Sequence, residues 1–182
     1  MTNFLPFLIK PDAALFIDRD GVINKLRPED YVKQIREFEL LPEVIPALEI
    51  FKPLFKRIFI ITNQQGIGKG LMIDSIDTIH THFLSLIPPH LHPDKIYHCP
   101  HLKDAHCACR KPKPGMALMA KNDFPEIQLS SSIMIGDSPS DMEFAKNGGM
   151  LPVLISNKAS SSNPEYPVFL DILAFAQSLV QN

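Results

Sequence analysis

Four short apolar runs, each ending in a polar residue, limit what this chain can fold into. They are "ALFID" (Ala14 to Asp18), "RIFIITN" (Arg57 to Asn63), "IMIGD" (Ile133 to Asp137) and "LPVLIS" (Leu151 to Ser156). Continuous apolar runs of this length suit strands buried on both faces of a parallel sheet. "KIYHC" (Lys95 to Cys99) is a fifth candidate. Helical spacing lies between the runs. Pro42 to Phe55 places Val44, Leu48 and Phe51 on one face, and Asp74 to Ile87 does the same with Ile76, Ile79, Phe83 and Ile87. Pro114 to Asp123 and Pro139 to Asn147 both open on proline, which suits a first helical turn. Pro167 to Val180 reads as a closing helix, preceded by the polar loop "SNKASSSNPEYP". The alternation predicts an α/β fold with a doubly wound, mainly parallel sheet, as one domain over residues 1–182. Such sheets bind ligands at the carboxyl ends of their strands. Asp18 with Asp20, Thr62 with Asn63, and Asp137 should therefore meet at one edge.

Composition excludes several partners. The chain is 45% hydrophobic and 21% charged, as a packed domain requires, and its net charge of −2 argues against nucleic acid. No stretch approaches the ~18 apolar residues of a membrane span. "MTNFLPFLIK" has no leading basic residues and no small-residue cleavage site, so the cytoplasm is the expected compartment. Thiols stay reduced there, and a stable disulfide is not expected. A monomer acting on a small molecule is expected.

"FIDRDGVIN" places Asp18 and Asp20 two residues apart at a strand end, before a glycine that lets the chain turn. By themselves, both acids could be turn and cap residues. With Asp137, Thr62 and Lys111 in the same chain, another reading gains weight. Two close carboxylates need a metal or a shared proton, and a third would complete an oxygen cage for Mg²⁺. One carboxylate can attack phosphorus while a second transfers the proton, with a hydroxyl and a lysine holding the phosphoryl oxygens.

These residues resemble the haloacid-dehalogenase (HAD) superfamily in its DxD phosphatase form. "FIDRDGVIN", "IITNQ", "CRKPKPG" and "IGDSPSD" are similar to its four motifs, in family order, from Phe16 to Asp141. The resemblance implies Asp18 as nucleophile and Asp20 as general acid/base. It implies Mg²⁺ on Asp18, the Asp20 backbone carbonyl and Asp137, and a phosphoryl group held by Thr62 and Lys111. Asp141 would stand behind these residues or act as a first-turn helix acid. The spacing from Asp18 to Thr62 and on to Lys111 leaves no room for a large cap domain, so short loops must select the substrate.

The resemblance narrows to the D,D-heptose 1,7-bisphosphate and histidinol-phosphate phosphatases. "TNQQGIGKGLM" and "DYVKQIREFELLPEV" look like the heptose branch, while the short spacer in the cysteine loop looks like the other. The expected reaction is removal of the 7-phosphate from D-glycero-D-manno-heptose 1,7-bisphosphate, with histidinol phosphate as the alternative substrate. Substrate contacts are implied for Pro28, Glu29, Asp30, Tyr31, Asn63, Gln64, Gln65 and Arg110, whose fork suits a second phosphate. Ser138 departs from the heptose branch, which often has Lys there. Two other classes share part of this equipment. A phospho-aspartate receiver domain lacks the second acid that Asp20 provides, and a zinc-stabilised binding module would be catalytically inert.

All three cysteines of the chain lie in "YHCPHLKDAHCACRKPKPG". Cys99, His101, Cys107 and Cys109 suit a closed tetrahedral Zn²⁺ site, with His98 or His106 as possible replacements for His101. The alternative is free buried thiols. Both branches of the subfamily carry zinc in this loop. The expected zinc is structural and braces Arg110 and Lys111.

Overall fold

A computed structural model describes residues 9–157 and 165–181. Six parallel strands form one sheet in the order β3-β2-β1-β4-β5-β6. They are β1 (Ala14–Asp18), β2 (Arg57–Asn63), β3 (Lys95–Cys99), β4 (Ile133–Gly136), β5 (Leu151–Ile155) and β6 (Val168–Phe169). The helices are α1 (Val44–Phe51), α2 (Gln65–Gly68), α3 (Ile76–Ser85), α4 (Gly115–Asp123), α5 (Pro139–Asn147) and α6 (Ile172–Ser178).

The apolar runs are continuous because both sheet faces are covered. Alternate residues enter opposite cores. Leu15, Ile17, Ile58, Ile60, Ile133 and Ile135 pack on one side, against Val44 and Phe51 of α1, Ile79 and Phe83 of α3, and Phe175 of α6. Phe16, Phe59, Ile61 and Met134 pack on the other, against Met116 and Ala120 of α4 and Phe144 of α5. Phe59 anchors the second core, with its ring 5.2 Å from Phe16, 5.9 Å from Tyr97 and 5.1 Å from Phe124.

Two expectations need correction, and one element was unforeseen. The closing helix does not begin at Pro167. Val168–Phe169 pair in parallel with β5, and α6 starts later, capped by Asp171, whose side chain accepts from the Ala174 N–H at 2.7 Å. Two residues carry too little periodicity to mark a strand. The short helix α2 was not foreseen, because "QGIG" is glycine-rich and a poor helix former. The Pro42 helix is regular only over Val44–Phe51. Of the polar loop before the last elements, residues 158–164 lie outside the described residues, as do residues 1–8 of the N-terminal run.

Strand β1 sits mid-sheet, next to the point where the strand order reverses, between β1 and β4. Asp18 pairs with Ile61, and Asn63 with Cys99, so these strand ends share one edge. Between β1 and β2 lie only a loop, a 3₁₀ turn (Ile35–Glu37) and α1. The loop is pinned by the Asn24–Leu40 bridge, by Lys25 N–H donating to the Glu39 carbonyl at 2.9 Å, and by buried Val32. Among the described residues no large cap covers the strand ends.

Candidate active site

Asp18 ends β1 almost fully buried, and Lys111 reaches it from the loop before α4. Lys111 Nζ lies 2.7 Å from Asp18 Oδ1 and 2.6 Å from Asp141 Oδ1, and donates to the Ile61 carbonyl at 3.1 Å. Burial pulls the Lys111 ammonium down, but the charges of Asp141 and Asp18 outweigh it and hold it above an ordinary lysine. Burial and the charge of Asp141 push the Asp18 carboxyl well above its usual range, although Lys111 opposes them. Asp137, just past β4, is pushed up to about 6 by burial and then by Asp141. One oxygen from each of Asp18, Asp137 and Asp141 falls within a 4.8 Å cluster.

Gly21 is required beside this cluster. Its φ is +92°, and a Cβ there would stand 2.0 Å from Asp137 Oδ2. Asp141 is both of the things considered for it. It completes a capping box with Ser138 at the start of α5, and it pairs with Lys111. Ser138 is therefore occupied as the N-cap of α5.

Asp20 belongs to a separate network. Arg19 Nη2 lies 3.0 Å from both of its oxygens, Asn24 Nδ2 donates at 3.0 Å, and Gln64 Nε2 donates at 2.9 Å. Burial pushes this carboxyl up, but the Arg19 charge and the bonds from Asn24, Arg19 and Gln64 hold it below the ordinary value. Thr62 Oγ1 donates to Asp20 Oδ2 at 3.4 Å and accepts from Gln64 Nε2 at 2.8 Å, so it belongs to this same network. Sequence reasoning missed Arg19, Asn24 and His80. The available signal was an arginine between two acids at the end of an apolar strand.

The expected substrate residues divide into groups. Gln64 is fully buried and bonded to Asp20 and Thr62, so it lies beneath the site rather than on its surface. Asn63 brackets Lys111, accepting from its N–H at 3.0 Å and donating to its carbonyl at 3.2 Å. Gln65 donates to Tyr31 Oη at 3.3 Å and accepts from Lys103 N–H at 2.8 Å, which ties the loop after β1 to the cysteine loop. Pro28 and Asp30 line a separate cavity with Lys25, Arg27, Glu37 and Glu39, and Glu29 takes a left-handed φ of 58°. Arg110 and Lys111 line a 420 Å³ cavity with Asn63, Lys103, His106 and Lys113. Arg110 Nη1 is buried and has no hydrogen-bond partner among the described residues.

Cys99, His101, Cys107 and Cys109 form a second cluster whose ligand atoms also lie within 4.8 Å of one another. His101 Nδ1 is 3.2 Å from Cys109 Sγ and 3.6 Å from Cys99 Sγ. Cys99 is buried at the end of β3, and residues 100–110 are exposed or half-exposed. His98 and His106 lie outside the cluster.

The HAD-hydrolase-like family model matches residues 108–167. D-glycero-alpha-D-manno-heptose-1,7-bisphosphate 7-phosphatase of Mycobacterium tuberculosis is 42% identical over 137 residues, spanning 74% of this chain and 72% of the relative. The chain belongs to the HAD-like hydrolase family. A second relative of this HAD-like hydrolase, the enzyme of the same name from Campylobacter jejuni, is 36% identical over 164 residues, covering 87% and 91% of the two chains. The Helicobacter pylori D-glycero-beta-D-manno-heptose-1,7-bisphosphate 7-phosphatase is 38% identical over 138 residues, covering 74% and 78%. Among solved structures, D,D-heptose 1,7-bisphosphate phosphatase from B. bronchiseptica, complexed with magnesium and phosphate, superposes with a TM-score of 0.79. It is 27% identical, and the match covers 93% of this chain and 98% of that one.

Proposed function

We propose that this HAD-like hydrolase is a cytoplasmic, monomeric, single-domain enzyme over residues 1–182. Its proposed reaction removes the 7-phosphate of D-glycero-D-manno-heptose 1,7-bisphosphate. The observation that carries the substrate is the cavity beside Lys111. Lys103, Arg110, Lys111 and Lys113 line it with no carboxylate among them, and Arg110 offers a buried donor without a partner. A second phosphate would satisfy that donor. The relatives that act on heptose bisphosphates support the same reading.

In this reading a carboxylate oxygen of Asp18 attacks phosphorus and the ester P–O bond breaks. Asp20 gives its proton to the departing oxygen, then takes a proton from the water that splits the aspartyl-phosphate. Thr62 and Lys111 hold the phosphoryl oxygens. Asp18, Asp137 and the Asp20 carbonyl would hold Mg²⁺, which offsets the repulsion between carboxylate and phosphate when bound. The residues fit it: the donors are oxygens, Asp137 is pushed up by burial and then by Asp141, and Gly21 keeps the space beside it clear. Cys99, His101, Cys107 and Cys109 fit Zn²⁺ by ligand type and mutual distance, and its role there would be structural. Tyr31, with Pro28 to Asp30, and Gln65 would shape the rim.

The test is a comparison of kcat/KM for the two anomers of the heptose bisphosphate and for histidinol phosphate. One bisphosphate anomer should exceed histidinol phosphate by at least about 100-fold, because a site built for a second anion is left unpaired by a substrate lacking it. Equal or better turnover of histidinol phosphate would assign the chain to the other branch.

A further inference from the structure

Among the described residues Arg19 is the largest fully buried side chain, at 0% exposure, and the catalytic reading assigns it no task. Its guanidinium is held at two points. Nη2 grips both oxygens of Asp20 at 3.0 Å, and Nη1 lies 3.3 Å from Nε2 of His80. His80 comes from α3, sixty-one residues along the chain, and is 7% exposed. Ile79 and Phe83 of the same helix are core anchors, so the backbone that carries the imidazole is fixed. The ring of His98 on β3 packs against it edge-on, with centroids 5.8 Å apart. An arginine has five donors and no acceptor, so His80 Nε2 must accept and its proton must sit on Nδ1. Burial, the Arg19 charge and His98 push His80 down to about 3, against the pull of Asp20, so the ring is neutral at ordinary pH.

We infer that His80 is a positioning residue of the phosphatase: by accepting from Arg19 it fixes the guanidinium that holds the Asp20 carboxyl in place for its proton transfers. The inference rests on the acid/base reading of Asp20. Asp20 has other holders in Asn24 and Gln64, but Arg19 is the one that contacts both oxygens. Loss of this hold affects the proton-transfer steps and leaves phosphate binding intact. A misplacement of about 1 Å in such a group costs up to about 100-fold.

The experiment compares His80→Leu, His80→Gln and Asp20→Asn with the native enzyme, Mg²⁺-supplemented, on heptose bisphosphate. His80→Leu should lower kcat about 10- to 100-fold with KM within about twofold. His80→Gln keeps an acceptor and should recover most of that loss. Native-like turnover in His80→Leu, or equal loss in both His80 variants, would overturn the inference while a dead Asp20→Asn leaves the acid/base reading standing. Full turnover in Asp20→Asn would remove both. Nitrogen NMR of the native protein gives a check independent of folding in the variants. The Nδ1–H tautomer of His80 is expected between about pH 5 and 8, and a proton on Nε2 would overturn the inference.

Discussion

Lys111 shows how closely charge is balanced at this site. It sits between Asp18 and Asp141, almost fully buried, so removing it leaves two buried carboxylates facing each other. Lys111→Met should cost about 3–5 kcal/mol in urea denaturation of the metal-free protein, as expected when one partner of a buried pair is lost. A cost below about 1 kcal/mol would mean that the pair is not the main support of Asp18. The same carboxylates set a pH dependence. Asp137 is raised from 3.8 to about 6, and Asp18 is raised as well. A raised carboxyl binds more protons in the folded state than in the unfolded one, so stability falls as pH rises through that window. Asp20 is lowered and acts in the opposite sense, its contribution being lost as pH falls below about 4. Metal-free protein should therefore lose stability between about pH 4 and 6, and Asp137→Asn should flatten that slope. Added Mg²⁺ should raise Tm more at pH 7.5 than at pH 5. A pH-independent Mg²⁺ effect would contradict the assignment of Asp137. The placing of Asp18 and Thr62 at neighbouring strand ends was legible because each closes a patterned apolar run, while Lys111 came from the motif resemblance alone. Arg19 was not, because nothing in "DRD" says whether the middle side chain points to solvent or folds back onto its neighbour.

Helix α2 and the cysteine loop act together at the next scale. The Gly68 N–H donates to the Pro100 carbonyl at 3.1 Å, and Gln65 links Tyr31 to the Lys103 backbone. The rim of the site is thus fastened to the loop that presents Arg110 and Lys111. Removing the proposed Zn²⁺ from the four-ligand cluster with a thiol-competing chelator should lower Tm and raise KM for the bisphosphate more than it lowers kcat. Native Tm and KM after complete metal loss, verified by elemental analysis, would show that the loop holds its shape unaided. Strand ends and the proline-opened α5 were readable at this scale because periodicity and capping are local signals. The two-residue β6 and the glycine-rich α2 were not, since both exist through tertiary pairing that outweighs weak propensity.

Across the whole molecule, the strand order places every strand that supplies a polar tail beside β1 or next to its neighbour. The site is open, with short pinned loops where a cap would stand, and the cationic cavity lies to one side of Lys111. In solution the protein should elute with the mass of one 20.5 kDa chain in light scattering, and a stable dimer would refute the monomer reading. The sequence by itself determined the sheet class, the strand ends that carry the acids, and the gathering of the cysteines with histidines in one loop, while the structure selected His101 among those histidines. Those follow from local pattern, since burial on two faces demands unbroken apolar runs and a metal loop needs closely spaced ligands. Tertiary structure alone decided that Asp141 pairs with Lys111, that Gln64 lies beneath Asp20, and that His80 reaches Arg19. Those contacts join residues up to sixty-one positions apart, and their energy depends on burial and angle, which no local pattern encodes.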